Sequence, residues 1–228
     1  MLRLLLIRKA IKLVCYPMIN KTLCVIFAIL CVQSMAKAQS TEFYAGDDRY
    51  GIDLMWYKFF RNDDGKNSPW LFFSRNRANN DYKNSPTLFG STNAISYNLN
   101  NGIGFVGVGS FLNAGFLGKL GVQYVHSAEE TLVFGWIVAD IKKQGAIDMF
   151  VLLRYQTAID GTWKLFAQGE LFPVFNPTTD MLNAVQRLRL GLRHNAIAGG
   201  IMMDFQQIVH HSTVTTIENI GLFARYEF

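Results

Sequence analysis

The sequence predicts an all-β protein, a closed antiparallel transmembrane β-barrel of about ten strands. Three observations lead to this fold class. Beyond residue 38, apolar and polar residues alternate over segments of about ten residues, as the two faces of a strand require. Glycine-rich and polar turn sequences separate these segments. One segment also alternates arginines with leucines, which suits a wall between lipid and a polar interior.

Residues 1–38 have the order of a secretory signal peptide. Lys21 precedes an apolar run at 23–32, and Ala36 and Ala38 occupy positions −3 and −1 of the expected cleavage site. The run is too short for a retained membrane helix, which needs about 20 apolar residues. We therefore expect export through the inner membrane followed by cleavage of this leader.

The mature chain expected from this cleavage, residues 39–228, differs in composition from the whole sequence. Met18 is an alternative start of translation and does not change the mature chain. All three cysteines lie in the leader, so no disulfide, thiolate nucleophile or cysteine-bound metal is expected. The leader also holds six of the 22 basic residues and none of the 17 acidic ones, which leaves 16 basic against 17 acidic residues. The net positive charge of the whole sequence therefore gives no reason to expect a nucleic acid partner.

Eleven strands follow from the alternation and the turn residues. We expect them near 49–60, 69–75, 91–100, 102–113, 117–128, 131–142, 146–157, 162–172, 183–194, 196–209 and 213–228. A single-chain bacterial barrel has an even number of strands. Residues 39–60 therefore contribute either an inner plug or a first strand, with a further strand candidate around 41–47. Ten strands fit best, and eight or twelve are the alternatives.

Two turn sequences orient the expected barrel. The dipeptides Asn101-Gly102 and Asp160-Gly161 favour tight turns that need a positive φ. If the last strand runs inward, both turns lie on the periplasmic side, where barrel turns are usually short. The polar stretches 76–90, 173–182 and 210–212 then lie outside the cell.

The arginine-rich segment fixes which face points inward. Leu188, Leu190 and Leu192 alternate with arginines, and an arginine facing lipid at the bilayer midplane costs about 2–4 kcal/mol. We therefore expect the arginines inside, with acidic partners on neighbouring strands. The expected lumen charge network comprises Asp148, Arg154, Lys164, Glu170, Arg187, Arg189, Arg193, Asp204, Arg225 and Glu227.

This network has more than one interpretation. In a barrel of about eight to ten strands the charges can simply fill the interior, which is about wide enough for side chains. Alternatively, the arginines line a selective pore for small solutes. A secreted, soluble lipocalin-like barrel is a further alternative, because the same alternation would then place the leucines in a core and the arginines in water.

The final strand resembles that of a known group of proteins. Ile220, Leu222, Tyr226 and the last residue, Phe228, resemble the terminal strand of bacterial outer-membrane β-barrel proteins, although Ala224 is smaller than usual. The resemblance implies a Gram-negative outer-membrane location and surrounding outer-membrane lipid. It also implies that the barrel-assembly machinery recognises Leu222, Tyr226 and Phe228. It implies a superfamily and no particular function.

One motif is a candidate for catalysis. His210 and Ser212 resemble, in their i, i+2 spacing, the catalytic pair of outer-membrane phospholipases and lipid A deacylases, with Glu218 as the orienting acid. The resemblance is incomplete because Thr213 stands where those families have asparagine. A lipid hydrolase is therefore an alternative, and a polar loop is the preferred interpretation.

These features together predict a non-enzymatic, porin-like barrel in the outer membrane. It either has a structural role and displays surface loops, or it forms a narrow channel for small solutes. No cofactor and no metal are expected. The expected partners are outer-membrane lipid, the barrel-assembly machinery and small solutes.

Overall fold

The structure, a computed structural model, describes residues 39–83, 87–142 and 145–228. The leader predicted at 1–38 lies outside these residues. Among the described residues, no helix has the length and apolar character of a membrane span. The strands are β1 (Gln39–Gly46), β2 (Arg49–Arg61), β3 (Asn67–Asp81), β4 (Leu88–Asn98), β5 (Ile103–Leu112), β6 (Gly115–Ser127), β7 (Thr131–Asp140), β8 (Ile147–Ala158), β9 (Trp163–Asn176), β10 (Met181–His194), β11 (Ile197–His210) and β12 (Thr213–Glu227).

Each strand pairs antiparallel with its neighbours in sequence, and β1 pairs with β12 to close the barrel. This closing seam extends from Ser40 opposite Glu227 to Gly46 opposite Gly221. We call the end of the barrel at Ser40 and Glu227 the lower end, and the end at Gly46 and Gly221 the upper end. Odd-numbered strands therefore run upward and even-numbered strands run downward.

The described residues form twelve strands, a number within the predicted range but above the preferred ten. The segment near 41–47 is β1, and the segment near 49–60 is β2. Residues 39–61 thus lie in the wall of the barrel, apart from the turn between these strands, and none of them forms an inner plug. Adding β1 to the eleven expected strands gives the even number that a closed antiparallel barrel needs.

β3 differs most from its prediction, since it covers Asn67–Asp81 rather than 69–75. Its upper half is polar on both faces, because Arg75 and Arg77 point inward while their neighbours on the outward face are serine and asparagine. Such a strand shows no apolar alternation, so its sequence is typical of a loop. Continuous pairing with β2 and β4 holds this half of β3 in the sheet.

The two predicted tight turns are built in different ways. Gly102 adopts a φ of 84°, as expected. Gly161 is not among the described residues with a positive φ. Instead, the Asp160 carboxylate accepts the backbone N–H groups of Thr162 and Trp163, each at 2.8 Å. These hydrogen bonds hold the pKa of the Asp160 carboxyl below its ordinary value.

The outward face of the barrel is largely apolar. Leu188, Leu190 and Leu192 are 45%, 54% and 46% exposed, whereas Arg189 is 2% exposed. A soluble barrel would place these leucines inside and the arginine in water, and the structure shows the opposite. Exposed aromatic side chains also form a belt near the lower end, as at the membrane interfaces of β-barrels. The lower aromatic belt comprises Trp70, Tyr97, Tyr124, Tyr155, Trp163 and Tyr226.

The interior has an apolar side and a charged side, and the charged side also holds a smaller apolar cluster that includes Phe166, Met202 and Phe223. On the apolar side, lined by β2 to β8, buried aromatic rings pack with centroid separations of 5.0–6.1 Å. We call these rings, from Phe73, Phe134, Trp136 and Phe150, the ring cluster. The charged side is lined mainly by β8 to β12 and β1 to β3, and it contains the candidate site.

Candidate functional site

Charged side chains from eight strands converge within the interior. The strand alternation points all of them inward, because each lies at the same parity as the buried residues of its strand. We call this group the lumen charge layer, and it comprises Glu42, Asp53, Arg75, Arg77, Arg154, Glu170, Arg187, Arg189, Arg193, Asp204, Arg225 and Glu227.

Arg75 joins two buried carboxylates. Its Nη1 donates to Glu170 Oε2 at 2.8 Å, and its Nε donates to Asp53 Oδ1 at 3.0 Å. Asp53 also accepts a hydrogen bond from Arg77 Nε at 3.0 Å, and Glu170 accepts one from Arg187 Nη1 at 3.3 Å. The Asp53 and Glu170 side chains are only 4% and 3% exposed. Sharing between two guanidinium groups offsets the cost of burying each carboxylate.

The pair formed by Arg75 and Glu170 crosses the whole interior. Arg75 belongs to β3 and Glu170 to β9, and these strands are six positions apart in either direction around the ring of twelve. Beside this pair, the Phe73 and Phe150 ring centroids are 6.1 Å apart. These two contacts together close the middle of the barrel.

A second group of ion pairs connects β10 and β11 with the closing seam. Arg189 Nε donates to Glu42 Oε1 at 2.8 Å, and Arg189 Nη1 donates to Asp204 Oδ1 at 2.6 Å. Arg225 Nε donates to the other carboxylate oxygen of Glu42 at 3.0 Å. The Arg189 and Glu42 side chains are both 2% exposed. The seam is therefore held by buried ion pairs as well as by backbone hydrogen bonds.

The network continues to the lower end through Glu227. Its carboxylate contacts both Arg154 and Arg193, which come from β8 and β10. Arg154 Nε also donates to Gln168 Oε1 at 2.9 Å, and Arg193 Nη1 donates to Gln156 Oε1 at 2.6 Å. Guanidinium groups therefore follow one another from the middle of the barrel to its lower end.

Two residues of the predicted network lie outside the lumen charge layer. Asp148 accepts a hydrogen bond from Lys119 Nζ at 2.8 Å, and this lysine also contacts Asp140. These three residues lie on β6 to β8, on the apolar side of the interior. Lys164 points inward near the lower end and makes no side-chain hydrogen bond or ion pair with another described residue.

Four members of the layer were not predicted: Glu42, Asp53, Arg75 and Arg77. The strand assignment was uncertain for the segments that hold the two acids. Arg75 is the last residue of the strand expected near 69–75, and Arg77 falls in the stretch 76–90, which was expected to lie outside. A usable signal did exist, because Arg75 and Arg77 have the same i, i+2 spacing as Arg187 and Arg189.

Cavities lie above and below the layer. The upper cavity, about 190 Å³ in volume, is lined by three guanidinium groups, from Arg49, Arg77 and Arg187, and by the single carboxylate of Asp204. Neutral side chains, both polar and apolar, complete its wall, and they include the hydroxyl group of Tyr44. The three arginines also pair with carboxylates outside the cavity, which belong to Asp48, Asp53 and Glu170. The excess of positive charge is therefore a property of the side chains that face the cavity.

The lower cavity has more acidic than basic side chains in its wall. It has a volume of about 220 Å³ and is lined by Arg154, Arg193, Glu129, Glu130 and Glu227, among others. The two cavities contact opposite ends of the lumen charge layer, which separates them.

The layer itself is positively charged. Its seven arginines face five carboxylates, which leaves an excess of two positive charges. Some guanidinium N–H groups also have no hydrogen-bond partner among the described residues, namely Arg154 Nη2, Arg187 Nε and Arg189 Nη2. Free guanidinium donors suit the oxygen atoms of carboxylates and phosphates.

The candidate catalytic residues do not come together. His210 and Ser212 lie at the β11–β12 turn, where the His210 ring contacts the His211 ring at 4.3 Å between centroids. Glu218 lies five residues beyond Thr213, about 17 Å along a strand, and its side chain is exposed. The described residues show no hydrogen bond linking His210, Ser212 and Glu218.

No group of three or more histidine, cysteine, aspartate or glutamate side chains suited to a metal ion occurs within the described ranges.

These features define the class of protein. A closed, even-numbered antiparallel barrel with an apolar exterior, an aromatic belt and a charged interior is a transmembrane β-barrel of the kind found in bacterial outer membranes. No protein-family model matches the sequence, and no curated protein matches it.

Some solved structures are similar in fold. The NanC porin shares 12% sequence identity, with a TM-score of 0.49, over 84% of this chain and 100% of NanC. The KdgM porin, solved in complex with disordered oligogalacturonate, shares 10% identity, with a TM-score of 0.47, over 83% of this chain and 98% of KdgM. Likeness at this level carries no argument about solutes.

Proposed function

We propose that this protein is a non-enzymatic outer-membrane channel with a narrow passage for small anionic solutes. The observation that carries the proposal is the upper cavity, where three guanidinium groups face one carboxylate. From there, the arginines of the lumen charge layer continue to the lower cavity. A row of guanidinium groups stabilises an anion at successive positions and repels cations.

We also infer the location and the orientation of the barrel in the outer membrane. The lower end faces the periplasm, and the upper end faces the outside of the cell. The apolar exterior then contacts outer-membrane lipid. Leu222, Tyr226 and Phe228, which are 67%, 46% and 50% exposed, are available to the barrel-assembly machinery.

The connections between strands favour a channel over the display of surface loops. Consecutive strands are separated by two to six residues. The longest upper connections, 82–87 and 141–146, have six residues each. Extracellular loops are usually the longer connections of outer-membrane barrels, so six residues leave little chain for surface display. The separation of His210 and Ser212 from Glu218 likewise supports a role without catalysis.

Solute passage requires the middle of the barrel to open. The Arg75–Glu170 pair and the ring cluster obstruct it in this structure. A solute anion can replace Glu170 as the partner of Arg75. The positive excess of the lumen charge layer favours this exchange over the binding of a cation to Glu170. We therefore expect small and infrequent openings in the wild-type protein.

Single-channel recording in planar bilayers tests this function. Glu170→Gln weakens the cross-lumen pair, so it should raise the open probability of the channel. It also adds to the positive excess, so it should shift the reversal potential further toward the equilibrium potential of the anion. Asp148→Asn is the matched control, because Asp148 is an inward acid bound to Lys119 outside the lumen charge layer. This control should leave conductance and selectivity close to wild type.

A closed barrel without conductance is the second candidate, supported by the same cross-lumen contact. Wild-type protein and Glu170→Gln that both insert and remain silent would support this candidate and overturn the channel. A cation-selective current would also contradict the proposal.

A further inference from the structure

The outward face of β3 and β4 carries a group of polar side chains where the barrel should contact lipid. We call this group, consisting of Ser74, Asn76, Ser91 and Asn93, the outward polar patch. The strand pairing places Ser74 opposite Asn93, and Asn76 opposite Ser91. All four lie on the same outward face as Trp70 and Tyr97 of the lower aromatic belt. Ser74 is covered by its neighbours and is 4% exposed, whereas the other three are partly exposed.

The patch lies near the middle of the membrane. Asn93 is four residues from Tyr97 in the lower aromatic belt and four residues from Phe89, an exposed aromatic residue near the upper end. Four strand residues span about 13 Å. Asn93 is therefore about halfway between the two interfaces, where hydrocarbon offers no hydrogen-bond partner.

Other outward polar side chains of the described barrel lie elsewhere. Lys58, His126 and His194 are near the lower end, where they can reach the interface. Gln186, Gln207 and Glu218 lie above the β1–β2 turn. Outward serine and threonine side chains are also found near the two ends, at Thr41, Ser68, Thr131, Thr157 and Thr216. Asn80 lies near the upper end of β3. The outward polar patch thus differs from them in its depth.

The patch only partly satisfies its own hydrogen-bonding groups. Ser74 Oγ donates to Asn93 Oδ1 at 2.9 Å, and Asn93 Nδ2 donates to Ser91 Oγ at 3.2 Å. Asn76 Nδ2 donates to Ser74 Oγ at 3.3 Å, whereas Asn76 Oδ1 accepts no hydrogen bond from a described residue. An amide has two donor hydrogens and two acceptor lone pairs. Leaving them unpaired in hydrocarbon is costly.

Two glycines lie beside the patch. Gly109 pairs with Asn93 of β4 and with Gly118 of β6. Neither glycine has a side chain that could cover Asn93, and the space above them is filled by Phe116 and Ile141. The polar side chains of β3 and β4 therefore have only apolar neighbours on this side.

We infer that the outward polar patch is an interface on which a second copy of this chain docks. Two copies inserted in the same direction place identical residues at identical depth, so a two-fold axis along the membrane normal brings the two patches together. Asparagine and serine both donate and accept hydrogen bonds, so the patch is complementary to itself. Lipid chains provide neither donors nor acceptors.

Disulfide trapping in native membranes or proteoliposomes tests this interface. Residues 39–228 contain no cysteine, so single cysteines serve as clean probes. Under mild oxidation, Asn93→Cys and Ser91→Cys should form disulfide-linked dimers. Leu190→Cys is the matched control, because Leu190 is 54% exposed at a similar depth on the far side of the barrel. It should remain monomeric.

A second experiment compares the dimerisation of the wild type with that of a variant in which the patch is disrupted. Energy transfer between labelled copies in vesicles should report dimers for the wild type. Asn93→Leu should weaken association roughly five- to tenfold, the usual range for one or two hydrogen bonds lost within a membrane. Ile95→Leu, the neighbouring outward position, should have no effect. Heat-dependent gel mobility checks that each variant is folded.

Equal trapping at positions 93 and 190 would reveal random collision and overturn the inference. Absence of trapping at both 91 and 93 would overturn it as well, and so would a wild-type monomer in vesicles. Trapping of position 93 to a different protein would assign the patch to another partner and exclude the symmetric dimer. The cysteine variants decide the question even if Asn93→Leu fails to fold.

Discussion

Arg189 shows how a single side chain of the lumen charge layer is stabilised. Its guanidinium group is 2% exposed and binds carboxylates from two other strands, Glu42 on β1 and Asp204 on β11. A charge buried this deeply is tolerated only because its partners are close and well oriented. Removing the arginine therefore leaves buried acids with one partner fewer.

Arg189→Ala should lower the free energy of unfolding by about 3–5 kcal/mol, the range observed when one member of a buried ion pair is removed. Urea titration of the protein in lipid vesicles, followed by tryptophan fluorescence, measures the change. Arg193→Ala is the matched control, since the Arg193 side chain is 25% exposed near the lower end. A loss at Arg193 equal to that at Arg189 would contradict this assignment.

The direction of the buried arginines can be predicted from the sequence, but their partners cannot. The inward direction of Arg187 and Arg189 follows from alternation with leucine along one strand. Which acid binds which arginine does not follow, because Glu42 is 147 residues from Arg189 along the chain. Closure of the barrel brings such distant residues together as ion pairs, and no local sequence pattern predicts which residues will pair.

Strand β10 has one face towards lipid and the other towards the interior of the barrel. Its leucines are half-exposed on the outward face, and Arg187 and Arg189 on the inward face are buried or nearly so. Strand period and the cost of a charge in lipid were enough to predict this arrangement. The prediction was less successful for β3, because its upper half is polar on both faces and no apolar stripe marks it.

Leu190→Arg should destabilise the folded barrel by about 2–4 kcal/mol, as expected for a charge on the lipid face near the midplane. Leu192→Arg should cost less, because Leu192 lies nearer the lower aromatic belt, where a long side chain can reach the interface. Urea titration in vesicles compares the two variants. A reversed order, or no cost for either one, would show that this face does not contact lipid.

At the scale of the whole molecule, the twelve strands form a wall with very short connections. The fold class and the expected range of strand number follow from periodicity and turns, as twelve lies at its upper limit. The position of the ring cluster on one side of the interior does not follow from sequence, because the cluster joins Phe73 of β3 to rings of β7 and β8 that come much later in the chain. Local alternation predicts whether a residue points inward or outward. It does not predict which residues it contacts across the barrel.

The short connections predict that the folded protein resists proteolysis. Lys66, Lys83 and Lys142 lie between strands and are exposed. Each is held by strands on both sides, so local unfolding is needed before a protease can bind the chain. Trypsin should leave the folded protein intact on a gel and degrade the boiled sample completely. Rapid cleavage after Lys83 in the folded protein would contradict this expectation.

The bond between Arg75 and Glu170 also has a mechanical consequence. It joins walls half a circumference apart, so it resists any change of the circular cross-section into an ellipse. Stretching the surrounding bilayer along that diameter would separate the guanidinium group from the carboxylate before the backbone pairing of the sheet is disturbed. Tension in the cell envelope would thereby be transmitted directly to the centre of the protein.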